Sequence, residues 1–220
     1  PVAPLGSDDA VDRALVALRR IFVEHQRVPS FEFHADLWPA LPRALERDGY
    51  HQHERMPLMV CAPASFHPFA APGVSVRLLA ASATPEEVAA FEIIRGEEFD
   101  FPTPPATSEE LERFRAAVDL GDRCALATLD GLPAGTGALG PLADVTELVG
   151  VVTVPALRRR GVAVSVTSFL TRQHFDAGGS LLFLSAEDAG AQAVYERVGY
   201  RVVDHLLNYV DLADDPRLTP

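Results

Sequence analysis

Apolar residues recur at helical spacing over residues 8–26, where Val11, Leu15, Leu18 and Phe22 follow an acidic start. This stretch predicts an amphipathic helix behind an Asp cap. "FEFH" at 31–34 alternates as a strand does, and "DLWPALPRALERDGY" predicts a helix opening at Asp36 and closing at Gly49. "QHERMPLMVC" predicts a strand, edge or bulged because of Pro57. The run 62–73, "APASFHPFAAPG", has no period and is expected as a linker.

Beyond it, "VSVRLLAA" predicts a strand. A helix follows with Thr84 at N-cap, Pro85 at N1 and Glu87 at N3. "SEELERFRAAVDLG" predicts a second capped helix ending at Gly121. Two strands should then form a hairpin around Asp130-Gly131. "VTELVGVVTV" is a long apolar strand, 161–177 a helix closed by Gly178-Gly179, "LLFLSA" a buried strand, "DAGAQAVYERVGY" a helix and "RVVDHLLNYVDL" a final strand.

The pattern repeats once. "LERDGY" at 45–50 and "YERVGY" at 195–200 lie 150 residues apart, each after a helix, strand and helix and before a strand. Agreement of the flanking elements favours duplication; strand-helix-GY-strand also occurs without shared ancestry. The expected organisation is a partial unit at 1–61, a linker at 62–73 and a complete domain at 74–220.

Composition narrows the class. Of 220 residues, 48% are hydrophobic and 23% charged, which points to a globular chain rather than a disordered one. No apolar run reaches membrane-span length and no basic-apolar leader opens the chain at Pro1, so the expectation is an intracellular, cytoplasmic protein without a membrane partner. Cys61 and Cys124 are too few for a disulfide framework and are expected reduced. All nineteen Lys/Arg residues are arginine, yet the net charge is -12, which argues against nucleic acid as a partner.

Against that acidity, "VPALRRRGVA" at 154–163 stacks Arg158, Arg159 and Arg160 ahead of Gly161 and a helix. A helix start carries partial positive charge and favours acids. Its free N–H groups bind anions, and arginines beside them become favourable when a pyrophosphate fills the space. The segment reads as half of an anion site or as a solvated basic corner.

Two motifs in order decide for the site. The strand, loop and helix of "ELVGVVTVPALRRRGVA", with Arg158-x-x-Gly161-x-Ala163, resemble the acyl-CoA signature of the GNAT N-acetyltransferases. Ala191, Tyr195, Gly199 and Tyr200 resemble that family's second motif. The resemblance covers about two thirds of the chain. It implies an α/β (α+β) fold, a mixed central sheet flanked by helices, with a helix-strand-helix-strand half repeat in front. It also implies an acetyl-CoA donor held by the loop Arg158, Arg159, Arg160, Gly161, Val162 and Ala163. The backbone of the strand around Val151, Val152 and Thr153 is expected to pair with the pantetheine arm.

Under the same resemblance Tyr195 is the acid for the departing thiolate, although it also lies on an apolar helical face with Ala191, Val194 and Val198. Glu147, at the strand's start, is the base for the amine or a solvated glutamate. Asp188 stands where the family often carries Asn, and places a like charge near the phosphates. The expected acceptor is a primary amine on a small molecule or peptide, and a homodimer is among the expected assemblies. A non-catalytic acyl-CoA-binding or sensing domain is the competing reading. His51 and His53 share a strand face without a third ligand, so no metal is expected. Glu97 and Glu98 are a further candidate for a cationic acceptor.

Overall fold

The computed structural model describes residues 8–96 and 104–211. The Glu97-Glu98 pair lies outside them. By contact density the chain forms two compact units, one from residues up to Leu58 together with Ser185–Glu187 and Val202 onward, the other from Met59–Leu184 and Asp188–Arg201.

In the first unit, helix α1 (Asp8–Glu24), strand β1 (Ser30–His34), helix α2 (Leu41–Arg47) and most of strand β2 (His51–Cys61) join strand β8 (Arg201–Val210). The strand order is β1-β8-β2, with β1 antiparallel to β8 and Phe33 opposite Leu207. Val11, Leu15, Phe33, Leu45, Tyr50, Leu207 and Tyr209 make its core. Helix α2 begins at Leu41, five residues later than the apolar pattern predicts. Pro39 keeps Trp38 out of the helical region. A helix begun at Asp36 would also bury Pro42 in its interior, where the ring clashes with a preceding carbonyl. Prolines won over periodicity.

The second unit carries strand β3 (Val74–Leu78), helices α3 (Pro85–Arg95) and α4 (Ser108–Asp119), and strands β4 (Arg123–Leu129), β5 (Leu132–Leu139) and β6 (Val145–Thr153). Helix α5 (Val162–Asp176), strand β7 (Leu181–Ser185) and helix α6 (Ala189–Glu196) complete it. Its sheet is mixed. The order is β7-β6-β5-β4-β3, antiparallel except for the β6–β7 pair.

The two faces of this sheet carry different helices. Cys124, Leu126, Ala138 and Val152 pack with Val88, Phe91, Ile94 and Phe114 of α3 and α4. Gly137, on the opposite face by strand alternation, lies under Val166 of α5: a Cβ there would stand 2.6 Å from its methyl. Thr84/Glu87 and Thr107/Glu110 form reciprocal capping boxes on α3 and α4. Asp130 (φ 52) and Gly131 (φ 88) supply the two left-handed residues that the β4–β5 hairpin turn requires.

The segment 62–73, expected as a linker, is bound into this unit. It opens with a 3-10 turn at Pro63–Ser65. His67 N–H then donates to the Val198 carbonyl at 2.8 Å. The buried Ser168 and Ser165 of α5 accept from the N–H groups of Phe69 and Ala71 at 2.8 and 3.0 Å. Backbone donors that a free linker would leave to water are satisfied by two helix hydroxyls.

The repeat has a local structural counterpart. Tyr50 N–H bonds to Leu45 O at 2.9 Å and Tyr200 N–H to Tyr195 O at 3.2 Å. Gly49 N–H bonds to Glu46 O and Gly199 N–H to Glu196 O, at 3.2 and 3.0 Å. Both glycines have positive φ, 91 and 105.

Candidate active site

Strand β6 organises the site by parting from its neighbour. It pairs with β7 from Val145 to Glu147, where Glu147 stands opposite Phe183. Among the described residues the pairing goes no further, while β6 itself continues to Thr153. A shift in the β5–β6 register, with Gly150 at φ 61, marks a bulge in this second half.

The bulge decides which backbone groups face the gap. Val154 N–H donates to Ala134 O at 3.0 Å, so in the antiparallel ladder Val152 also turns its N–H and C=O toward β5. Val151 and Thr153 turn theirs toward the side that β7 has left. Of the three strand residues expected to offer backbone, Val152 thus bonds within the sheet and its side chain packs against the α3/α4 core. Arg158 Nε caps the Thr153 carbonyl at 3.4 Å. The N–H groups of Val151 and Thr153 remain aimed at the gap.

Helix α5 begins beside the end of this strand. In the second unit, α3, α4 and α6 each have a side chain accepting from the first turn. Helix α5 has none, and no acid in its first turn. Its N-cap is Gly161 at φ 82, and the preceding Arg159 also has positive φ, 65. A non-glycine residue in that region stores strain, a recurrent feature of ligand loops. The Thr153 hydroxyl is buried without a hydrogen-bond partner among the described residues. Open N–H donors, exposed arginines and this orphaned hydroxyl fit an extended phosphate-bearing ligand.

The loop is also tied into its own unit. The room freed by Gly161's missing side chain is taken up by the protein itself, since a Cβ there would lie 2.6 Å from the Ala71 methyl. Val162 is likewise a core residue, 1% exposed, and offers only backbone; Ala163 is half-buried. The arginines, moreover, are not all waiting for a ligand. Arg160 Nη2 meets Asp130 Oδ2 at 2.9 Å, Arg158 caps a carbonyl, and Arg159 has no hydrogen bond or ion pair among the described residues.

Glu147 is exposed at the last β6–β7 pair. It precedes Val149 by two residues, and Val149 pairs with Ala138, whose side chain lies on the α3/α4 face. Glu147 therefore looks to that face, opposite α5. Tyr195 projects from α6 and is 8% exposed, with its ring 6.0 Å from that of Tyr200. Tyr200 shares a 2.9 Å hydrogen bond with Thr171 of α5, and burial pushes its phenol well above the ordinary range. Asp188 is the N-cap of α6, its Oδ1 accepting from Ala191 N–H at 2.7 Å. That cap is what an Asn would also provide. Sequence reading placed Asp130 in a turn but missed its pairing with Arg160, and it missed the two α5 serines, for which a Ser-x-x-Ser pair on the helix was the available signal.

The β6–β7 pair splays apart beside the uncapped start of α5. The chain belongs to the Acetyltransferase (GNAT) family, whose model matches residues 88–200, just over half of its length. This family transfers acyl groups from acyl-CoA. Among solved structures, the chain is similar to a GCN5-related N-acetyltransferase from Kribbella flavida. Identity is 28% and the TM-score 0.73, covering 93% of this chain and 76% of that one. A second, from Sphaerobacter thermophilus, shows 20% identity and a TM-score of 0.68, over 90% and 66% of the two chains. A tandem GNAT protein from the clavulanic acid biosynthesis pathway has the same fold at 14% identity, TM-score 0.62, over 90% and 68%. No functionally curated protein matches the sequence. Among the described residues, no helix is long and apolar enough to cross a membrane.

Proposed function

We propose that this protein moves an acetyl group from acetyl-CoA to a primary amine of a small molecule or peptide, by direct attack with both substrates bound. The observation that carries the reading is the uncapped start of α5 beside a strand whose Val151 and Thr153 N–H groups face an open gap. The loop Arg158 to Ala163 holds the phosphates through backbone N–H groups and arginine charge. The thioester supplies the activated acyl group. A strand N–H polarises its carbonyl, Glu147, directly or through water, takes the amine proton, and Tyr195 protonates the departing thiolate.

The repeated turn hydrogen bonds support reading residues 1–61 as a partial second GNAT half that keeps the packing and lacks the loop. The test is free-thiol release from acetyl-CoA across an amine panel, with CoA binding followed by calorimetry. Turnover with an amine, lowered at least tenfold in kcat by Tyr195→Phe, is the expected result. Full turnover in that variant removes the acid role. Binding without thiol release on any amine favours a non-catalytic acyl-CoA sensor.

A further inference from the structure

Arg160 and Asp130 meet at 2.9 Å across the tip of the β4–β5 hairpin, between side chains 51% and 62% exposed. The backbone of Asp130 is tied to the segment before β3, and its carboxylate lies over Gly73. Its N–H donates to the Gly73 carbonyl at 3.0 Å. Its Oδ1 occupies the space that a side chain on Gly73 would need, 2.7 Å from where a Cβ would stand. The turn and the start of β3 thus preset one carboxylate beside the arginine loop. Arg160 is the one loop arginine with an anionic partner among the described residues.

We propose that Asp130 is an internal counter-ion, which Arg160 exchanges for a phosphate of the acyl donor. It rests on the donor site proposed above and makes Asp130 a determinant of donor affinity that never touches the reacting groups. The exchange is easy because an exposed ion pair is held weakly in water. A phosphate beside an uncapped helix start, by contrast, offers the guanidinium a bidentate, charge-assisted bond. Asp130 opposes that step twice: it occupies the arginine, and its own charge repels the incoming phosphate.

The measurement is the CoA dissociation constant of Asp130→Asn by calorimetry, with Arg160→Gln and the double variant alongside. Asn keeps the left-handed turn. The expected result is binding tighter by about three- to tenfold, because an exposed ion pair no longer has to break and one repelling charge is gone. The gain should shrink as salt is added and fall, when Arg160 is replaced, to the smaller part that relief of repulsion alone supplies. Repeating the series with 3′-dephospho-CoA identifies the phosphate: a retained gain assigns the pyrophosphate, a lost one the 3′-phosphate. Asp130→Asn binding as wild type does, or more weakly, overturns the proposal, as does a gain that is undiminished in the Arg160→Gln background. A wild-type protein that binds no CoA removes the donor site itself, a different result from an unresponsive Asp130.

Discussion

Gly49 and Gly199 occupy matching places in the two turns, and alanine at each should have very different consequences. Both sit at positive φ, 91 and 105, so each substitution carries the left-handed penalty of about 1–2 kcal/mol. At Gly49 nothing more is added, because no atom lies within 4 Å of the new methyl. At Gly199 the methyl would stand 1.8 Å from the Ser65 carbonyl oxygen and 2.7 Å from its carbon. Real contacts stay beyond 3.0 Å, so the 65–67 segment would have to retreat by more than 1 Å. That segment is fastened by Ser65 N–H to Ala62 O at 2.9 Å and His67 N–H to Val198 O at 2.8 Å. Overpacking of this kind costs about 1–3 kcal/mol, and each loosened bond adds about 1 kcal/mol. Gly199→Ala should therefore be less stable than Gly49→Ala by at least about 2 kcal/mol, or roughly 4–8 °C in Tm for a chain of this size. Thermal unfolding followed by far-UV circular dichroism measures the whole chain, and fluorescence of the single tryptophan, Trp38, reports the first unit. Equal losses at the two sites would refute the close-approach argument.

Gly161→Ala should weaken CoA binding and lower Tm together, since its methyl meets Ala71 at 2.6 Å in a left-handed residue; calorimetry and melting on one sample check both. Burial pushes the His174 imidazole below its ordinary value of 6.5. The unfolded chain then binds the extra proton more readily, so stability is full above about pH 6.5 and falls as pH drops toward the lowered value. Urea titrations across pH 5–8 should show that slope in wild type and less of it in His174→Gln. Burial also raises the Cys61 thiol and pushes Cys124 up to about 11. Both should react with a chromogenic disulfide reagent far more slowly in the native protein than in denaturant, and rapid native labelling would contradict their burial. Thr107→Ala removes the α4 capping box and should cost about 1 kcal/mol in denaturant titration.

Much of the fold was legible because its causes are local. Thr84 and Glu87, or Thr107 and Glu110, form their cap from residues three apart, and Asp130-Gly131 makes a turn that few other pairs can. The arginine loop was legible for the same reason: a basic helix start without an acid is visible in the sequence, and in the structure that start has no side-chain cap. The onset of α2 was not, because apolar periodicity runs through Pro39 and Pro42 where the backbone cannot.

The chain's order of residues therefore determined the helices, strands and turns, the family, and the segment that holds the loop, since propensity, capping and spacing act within a few residues. Tertiary structure decided the rest. It gave Arg160 a carboxylate thirty positions away and turned Val151 and Thr153, but not Val152, toward the gap. It also filled the space above Gly161 with Ala71 and tied 62–73 to two serines of α5. Each of these depends on strand register, on a bulge or on close packing between distant segments. Those are properties of the folded chain, with no local signature to read.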